Sequence, residues 1–374
     1  MDLGLSEQQR AIAELAGTIL ADRCPPEALR ELERTGTAVA SRAWEELATA
    51  DLVGLALPEE DGGSGLGVIE ACLVAEQVGR HAAPVPYWPA TAGALAVARW
   101  GSPGLRRRLL PGAADGTRPL AVALWEPGAA LFAPPATTAR GDGDAWRLDG
   151  VRSPVPWATG AAALLVPART GDGEVAVFAV DPRAGGVEVV DEHAISHEPV
   201  QTVALDGVRV DGDARLEAAG AGNGGDPLAW LTERVIVLGC ATALGVVQRA
   251  LELTARHVTE REQFGSPIGT FQAVAHRCAD AYIDTEAIRL TTWQAAWRLD
   301  AGMDARDQLA IAALWAAEGG QRVVHAAQHL HGGLGVDTDY PLHRYFRWAK
   351  VIELLIGGAD GSLARLGRSL AQSG

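Results

Sequence analysis

Residues 261–280, R-E-Q-F-G-S-P-I-G-T-F-Q-A-V-A-H-R-C-A-D, constrain the fold more than any other stretch of the chain. They stand between two long helical patterns. Gly265, Pro267 and Gly269 stop the first and force a loop. In the second, Phe271, Val274, Ala275, Cys278 and Tyr282 recur three or four apart, which predicts one buried stripe. Gln272, His276 and Asp280 fall on the other side. The loop therefore carries a guanidinium (Arg261), an amide (Gln263) and an aromatic ring (Phe264), with a further amide (Gln272) close by on the next helix. A guanidinium offers a planar fork to phosphate oxygens, and an amide both donates and accepts. The set suits a pyrophosphate with an attached flat ring. It equally suits an ordinary helix–loop–helix with a solvated arginine.

Helical spacing runs through 230–260, 270–301 and 304–329, and a fourth pattern covers the C-terminal end. Long helices with short breaks predict an antiparallel four-helix bundle over 225–374. The first 115 residues also read as mostly helical. Ser6 and Gln9 make a capping box ahead of Ala11, Ile12, Leu15, Ala16, Ile19 and Leu20. Pro25-Pro26 closes that helix, and 44–52 and 68–79 predict two more. Between the latter two, 57–65 is a turn cluster of Pro, acidic residues and Gly. Between 116 and 213 the texture changes. Short apolar or alternating runs at 121–124, 145–148, 161–166, 175–180 and 187–190 are separated by Gly, Asp and Pro, which predicts strands. Residues 214–226 read as a Gly/Ala linker. The class is α+β.

A chain of 374 residues is too long for one compact core, so two or three domains are expected. The formal net charge of −15 argues against binding a nucleic-acid backbone. Cys24, Cys72, Cys240 and Cys278 show no C-x-x-C spacing, so neither a zinc site nor a disulfide framework is predicted. No basic region followed by an apolar run opens the sequence, and no uninterrupted apolar stretch of spanning length is visible. A soluble, cytoplasmic protein is expected.

The 261–272 stretch resembles the R-x-x-F-G-x-x-I-x-x-F-Q signature of the acyl-CoA dehydrogenase family of flavoenzymes, and the resemblance extends over the whole chain. It implies an N-terminal helical domain, a middle β-barrel-like domain and a C-terminal four-helix bundle. It also implies FAD as cofactor, an acyl-CoA substrate and electron-transfer flavoprotein as acceptor. In the family the Arg, Phe and Gln reach across a dimer interface to the neighbour's FAD, which assigns that role to Arg261, Phe264 and Gln272, with Gln263 alongside. The loop at 57–65 is similar to the family's P-E-E-x-G-G-x-G. A second match, Q-H-L-H-G-G-L-G at 328–335, is similar to the family's Q-x-x-G-G-x-G on the FAD pyrophosphate. It implicates Gly332 and Gly333; the family's Gln falls on His329, with Gln328 next to it. In the following P-L-H-R-Y-F, His343 and Arg344 are expected to be packing and surface groups.

The resemblance also has departures. Where the family reads T-E-P-x-A-G-S-D, this chain has W-E-P-G-A-A-L-F at 125–132, and near the family's W-I-T-N it has V-P-W-A-T-G at 155–160. Leu131 and the Pro156 segment cannot supply the usual Ser and Thr hydroxyls in the same way; Thr159 is the one displaced substitute in the segment. The family's catalytic Glu commonly stands six residues past a Lys; six past Lys350 is Ile356, then Gly357-Gly358. Other members place it about 26 residues before the signature Arg, here Val235. Glu233, two residues earlier, is turned about 200° away on a helix. Glu353 and Asp360 are out of register too, and all three read as surface carboxylates. Such a division between a kept half-site and a lost one resembles the bacterial dehydrogenases of sterol side chains, built as α2β2 heterotetramers from two unlike family members. The expectation is the base-less subunit of such a complex, assisting α,β-dehydrogenation of a steroid side-chain CoA ester. The alternatives are a self-sufficient homotetramer with a relocated base, Glu233 or Asp360, or a non-catalytic scaffold subunit.

Overall fold

The computed structural model describes residues 4–35, 39–131, 133–217 and 225–373. The first three residues, Phe132 and the middle of the expected linker lie outside them. The order of elements is helical, then β, then helical, as expected. Helices α1 (Glu7–Arg23), α2 (Pro26–Thr35), α3 (Ser41–Thr49), α4 (Val68–Arg80), α5 (Tyr87–Trp100) and α6 (Pro103–Ala114) come first. The Ser6/Gln9 capping box forms: the Ser6 side chain accepts from Gln9 N–H, and the Gln9 side chain accepts from Ser6 N–H.

The strands are β1 (Ala121–Val122), β2 (Thr138–Asp142), β3 (Ala145–Pro156), β4 (Leu164–Arg169), β5 (Val175–Val180), β6 (Val187–His193), β7 (Pro199–Asp211) and β8 (Arg215–Leu216). They form one sheet in the order β6-β7-β3-β2-β4-β5-β8, with β1 parallel to β4. Three strands of the sheet escaped the sequence reading, among them β8, which lies in the stretch read as a linker. β2 is polar. β7 is never a continuous apolar run, but it alternates, burying Gln201, Val203, Leu205, Val208 and Val210. Leu148, Leu164, Val166, Phe178 and Val203 centre the core of the sheet. Helix α5 is buried on every side, and its Gly93 lies against Leu120, Val122 and Leu165.

The chain then enters α7 (Pro227–Glu260), a two-residue hairpin of β9 (Glu262–Gln263) and β10 (Ser266–Pro267), and α8 (Gln272–Asp300). The third helical pattern is not one regular helix. α9 (Arg306–Leu314) passes through a π turn at Trp315–Gly319 into α10 (Gly320–His331). The fourth is two helices, α11 (Leu342–Leu355) and α12 (Gly358–Ser373), because Gly357 and Gly358 adopt positive φ. By length and composition alone α7 is apolar enough to cross a membrane, with charged residues interrupting its apolar run, and 89% of its most apolar window is buried within the protein.

Contacts divide the chain into two compact units, neither continuous in sequence. One comprises Met1–Ala40, Cys72–Pro84 and Ile236–Gly374, the other Ser41–Ala71 and Val85–Val235. The helical unit thus holds α1, α2 and the C-terminal helices; the other holds the sheet.

The predicted stripe on α8 is not buried. Phe271, Ala275 and Tyr282 are exposed, Val274 and Cys278 half-covered, and the first buried residue of the helix is Ala281. Periodicity reports which residues share a face, not whether anything covers it. Ile283 and Leu290 are exposed further along.

Candidate cofactor-binding site

The signature loop is a tight hairpin at the end of α7. Arg261 N–H donates to the His257 carbonyl at 2.8 Å, and Ile268 N–H donates to the Arg261 carbonyl at 2.8 Å. The register Gln263↔Ser266 leaves Phe264 and Gly265 as the two turn residues, with φ of 56° and 82°. Two positive φ values are the type I′ arrangement that fits a two-residue hairpin. Glycine adopts it freely; a phenylalanine there costs about 1 kcal/mol or more. Phe264 is 94% exposed, and among the described residues its ring meets one other, Phe271, edge-on at 6.1 Å. A strained backbone that holds a large apolar ring in water does nothing for the lone chain's stability; it presents the ring to something else. Arg261 and Gln272 are exposed, and neither side chain has a hydrogen-bond or ion-pair partner among the described residues. Gln263 donates to its neighbour's carbonyl, Glu262, at 2.9 Å.

The glycine-rich segment caps α10. Gly332, at φ 59°, sends its N–H to the carbonyls of Gln328 and His329. A Cβ at Gly332 or Gly333 would meet nothing within 4 Å. At Gly333, where φ is not positive, neither crowding nor backbone conformation requires glycine; what it leaves is bare backbone open to a close approach. Gln328 turns inward. With its amide oriented to satisfy both neighbours, it donates to the Gly335 carbonyl and accepts from Val336 N–H, each at 3.1 Å. It staples the turn from within, while His329 is exposed.

A pair of stacked imidazoles brings the two segments together. His257, four residues before Arg261, lies 4.3 Å from His331, one residue before Gly332, with the rings 18° from parallel. His331 Nδ1–H donates to the Ala327 carbonyl at 2.8 Å, so Nε2 accepts from the Tyr340 hydroxyl at 3.1 Å. Burial pushes both imidazoles below their ordinary pKa, His257 further so beside the Arg261 guanidinium, and two neutral rings can stack without repulsion. The sequence reading missed this pair; the histidines are far apart in the chain and carry no motif.

The positions where the family keeps its base are apolar and sealed. Val235 and Ile356 are both 0% exposed. Ile356 fills the space over Gly239, where a Cβ would fall 2.6 Å from Ile356 Cγ2. The three nearby carboxylates are not all on the surface. Glu233 is half-buried and paired with Arg234 at 2.7 Å; that guanidinium lies 3.8 Å over the Trp230 ring. Glu353 is half-buried and pairs with Lys350 at 2.6 Å. Asp360 is exposed in the first turn of α12. His343 and Arg344 do pack, but Arg344 is no surface group: it is buried and holds Glu33 through two bonds of 2.7 and 2.9 Å.

In the sheet unit, one carboxyl stands apart. Burial pushes Glu198 up from 4.5 to about 8, against the bond from Ser196. The folded chain then keeps a proton between about pH 4.5 and about 8 that the unfolded chain releases, so stability should fall as pH rises through that window and level off above it. The slope would be at most about 1.4 kcal/mol per pH unit. Glu198→Gln should flatten it and raise the melting temperature at pH 8–9, as measured by thermal denaturation across pH.

Residues 6–117 match the acyl-CoA dehydrogenase N-terminal domain and residues 232–371 the acyl-CoA dehydrogenase C-terminal domain. The acyl-CoA dehydrogenase FadE27 of Mycobacterium tuberculosis is 40% identical over 383 aligned positions, covering 100% of both chains. The chain belongs to the acyl-CoA dehydrogenase family. A chain of the ChsE4-ChsE5 complex from Mycobacterium tuberculosis superposes with a TM-score of 0.93 at 41% identity, covering 99% of each. A variant of the Tcur3481-Tcur3483 steroid ACAD gives 0.92 at 43% identity, covering 98% of each. Family members are FAD-dependent oxidoreductases, and FAD is the cofactor of this fold. The residues present fit part of it. Unpartnered Arg261 and Gln272, the presented ring of Phe264 and the bare backbone at Gly332-Gly333 suit a dinucleotide's pyrophosphate and flat rings.

Proposed function

We propose that this chain is the subunit of a hetero-oligomeric acyl-CoA dehydrogenase that completes an FAD site shared with a second, unlike family member and supplies no base of its own. One observation carries the reading: Val235 and Ile356 are sealed apolar positions where a carboxylate is needed, while the hairpin and glycine turn are open to solvent and the Arg261 and Gln272 side chains have no partner among the described residues. FAD, when bound, supplies the hydride acceptor. In this reading Arg261 and Gln272 hold its phosphates, Phe264 packs on a flat ring, and Gly332 and Gly333 admit it to the backbone beside His329. Gln263 and Gln328 keep the hairpin and the turn in shape. The partner's carboxylate removes the α-proton of the acyl-CoA. The uncovered apolar face of α8, with Phe271, Tyr282, Ile283 and Leu290, suits burial against that partner. The steroid substrate class and the hetero-oligomer are supported by the similarity to the Tcur3481-Tcur3483 steroid ACAD and to the ChsE4-ChsE5 complex. Electron-transfer flavoprotein is the proposed acceptor.

The test is to purify the chain alone and with a co-expressed second acyl-CoA dehydrogenase-like chain, then measure bound flavin and acyl-CoA oxidation. Flavin and activity are expected only with the partner. Arg261→Ala in the complex should weaken FAD retention by about 10- to 100-fold, the value of one or two charge-assisted hydrogen bonds, with an unchanged melting temperature of the flavin-free protein. One flavin per chain and turnover by the lone protein would overturn the reading.

A further inference from the structure

Resting on that reading and deepening it, we propose that this chain's own sheet is closed to the flavin ring because Gln201 already takes up the backbone donors of Ala158 and Thr159 in the strap at 157–159. The strap leaves the end of β3, at the place where the family carries W-I-T-N near its flavin. Trp157 is buried with φ at 61°, a left-handed conformation that a bulky residue adopts only when its surroundings impose it. Trp157 N–H donates to the Pro199 carbonyl at 3.1 Å. The next two amides converge on one acceptor: Ala158 N–H reaches Gln201 Oε1 at 2.8 Å, and Thr159 N–H approaches it at 3.4 Å, the edge of bonding distance.

Gln201 is fixed at its other end as well. It sits on β7 opposite Val155 of β3 and Asp191 of β6, is 2% exposed, and donates through Nε2 to Asp191 Oδ1 at 2.9 Å. The Thr159 hydroxyl donates to the same Asp191 oxygen at 3.4 Å. Rotating the amide away would strand the buried Ala158 N–H without an acceptor. The polar edge of an isoalloxazine is mostly acceptors, so a seat for it must offer free N–H groups. This strap has already spent its own. Thr159 and Gly160 are at the surface, so access is not what closes the site; the side chain from the adjacent strand does.

Amide hydrogen exchange on the wild-type complex, with and without FAD, and on Gln201→Met decides it. In the wild type, FAD should slow exchange over 261–272 and 329–336 and change it less than twofold over 157–160. Gln201→Met, which keeps the length but removes the acceptor, should speed exchange over 157–160 by tenfold or more. FAD-dependent protection of 157–160 in the wild type would overturn the inference, as would unchanged exchange there in Gln201→Met. Absence of protection at 261–272 and 329–336 would instead remove the shared-site reading, and the Gln201→Met comparison would still judge the strap. The wild-type arm holds even if the variant does not fold.

Discussion

Gly245→Ala should leave little or no folded protein. Helix α7 crosses α4 with backbone on backbone. A Cβ at Gly245 would lie 1.9 Å from the Glu76 carbonyl oxygen and 2.6 Å from Arg80 N, inside α4's own hydrogen-bonded turn. The crossing is reciprocal: a Cβ at Gly79 would lie 1.9 Å from the Thr242 carbonyl. Backbone atoms have no rotamer to escape into, so the helices would have to move apart and lose dispersion contacts along the whole crossing. The expected cost is at least about 3–5 kcal/mol, a large part of the stability of an ordinary domain. The check is soluble yield and chemical denaturation. Gly333→Ala is the control, because a Cβ there meets nothing. Its stability should stay within about 0.5 kcal/mol of wild type.

The second large effect is expected at Arg152 and Glu126. Arg152, on β3, is 1% exposed in the core of the sheet. It lies 3.1 Å from Glu126 and donates to the carbonyls of Leu124 and Pro167. Glu126 accepts from Ala136 N–H at 2.7 Å and from the Thr137 N–H and hydroxyl at 2.9 and 2.7 Å. Burial lowers the guanidinium to about 10. Burial would raise the carboxyl, but those donors together with Arg152 outweigh it and hold Glu126 below its usual range. Glu126→Gln should cost about 3–5 kcal/mol, because it leaves a buried cation uncompensated. Arg152→Met should cost a similar amount, and the double variant less than the sum of the two. Denaturation midpoints of the four proteins measure this. Glu126 also predicts acid sensitivity. Its contribution is full above the unfolded carboxylate range near 4.5 and disappears as pH falls through its depressed value.

These two sites differ in how visible they are in the sequence. Glu126 sits in a W-E-P segment that the sequence singled out, but its partner Arg152 is brought to it by the sheet. Gly79 and Gly245 lie inside helical patterns, where a glycine reads only as a weak helix former. Their role exists only once α4 and α7 cross. The strands with apolar runs were legible, whereas β7 was overlooked even though Val203, Leu205, Val208 and Val210 alternate. The split between α11 and α12 was likewise written in Gly357-Gly358. The π turn at Trp315–Gly319 left no such trace.

For the candidate site, the chain's own letters determined the hairpin residues, the glycine turn and the absence of a carboxylate at positions 235 and 356, because turn chemistry and residue type are local properties. Only the tertiary structure decided the rest. It strained Phe264 and turned it outward, left the start of α8 bare, stacked His257 on His331, turned Gln328 inward and set Gln201 against the strap. Each of these depends on which surfaces meet, and a pattern of spacings fixes the faces of an element without fixing what lies against them.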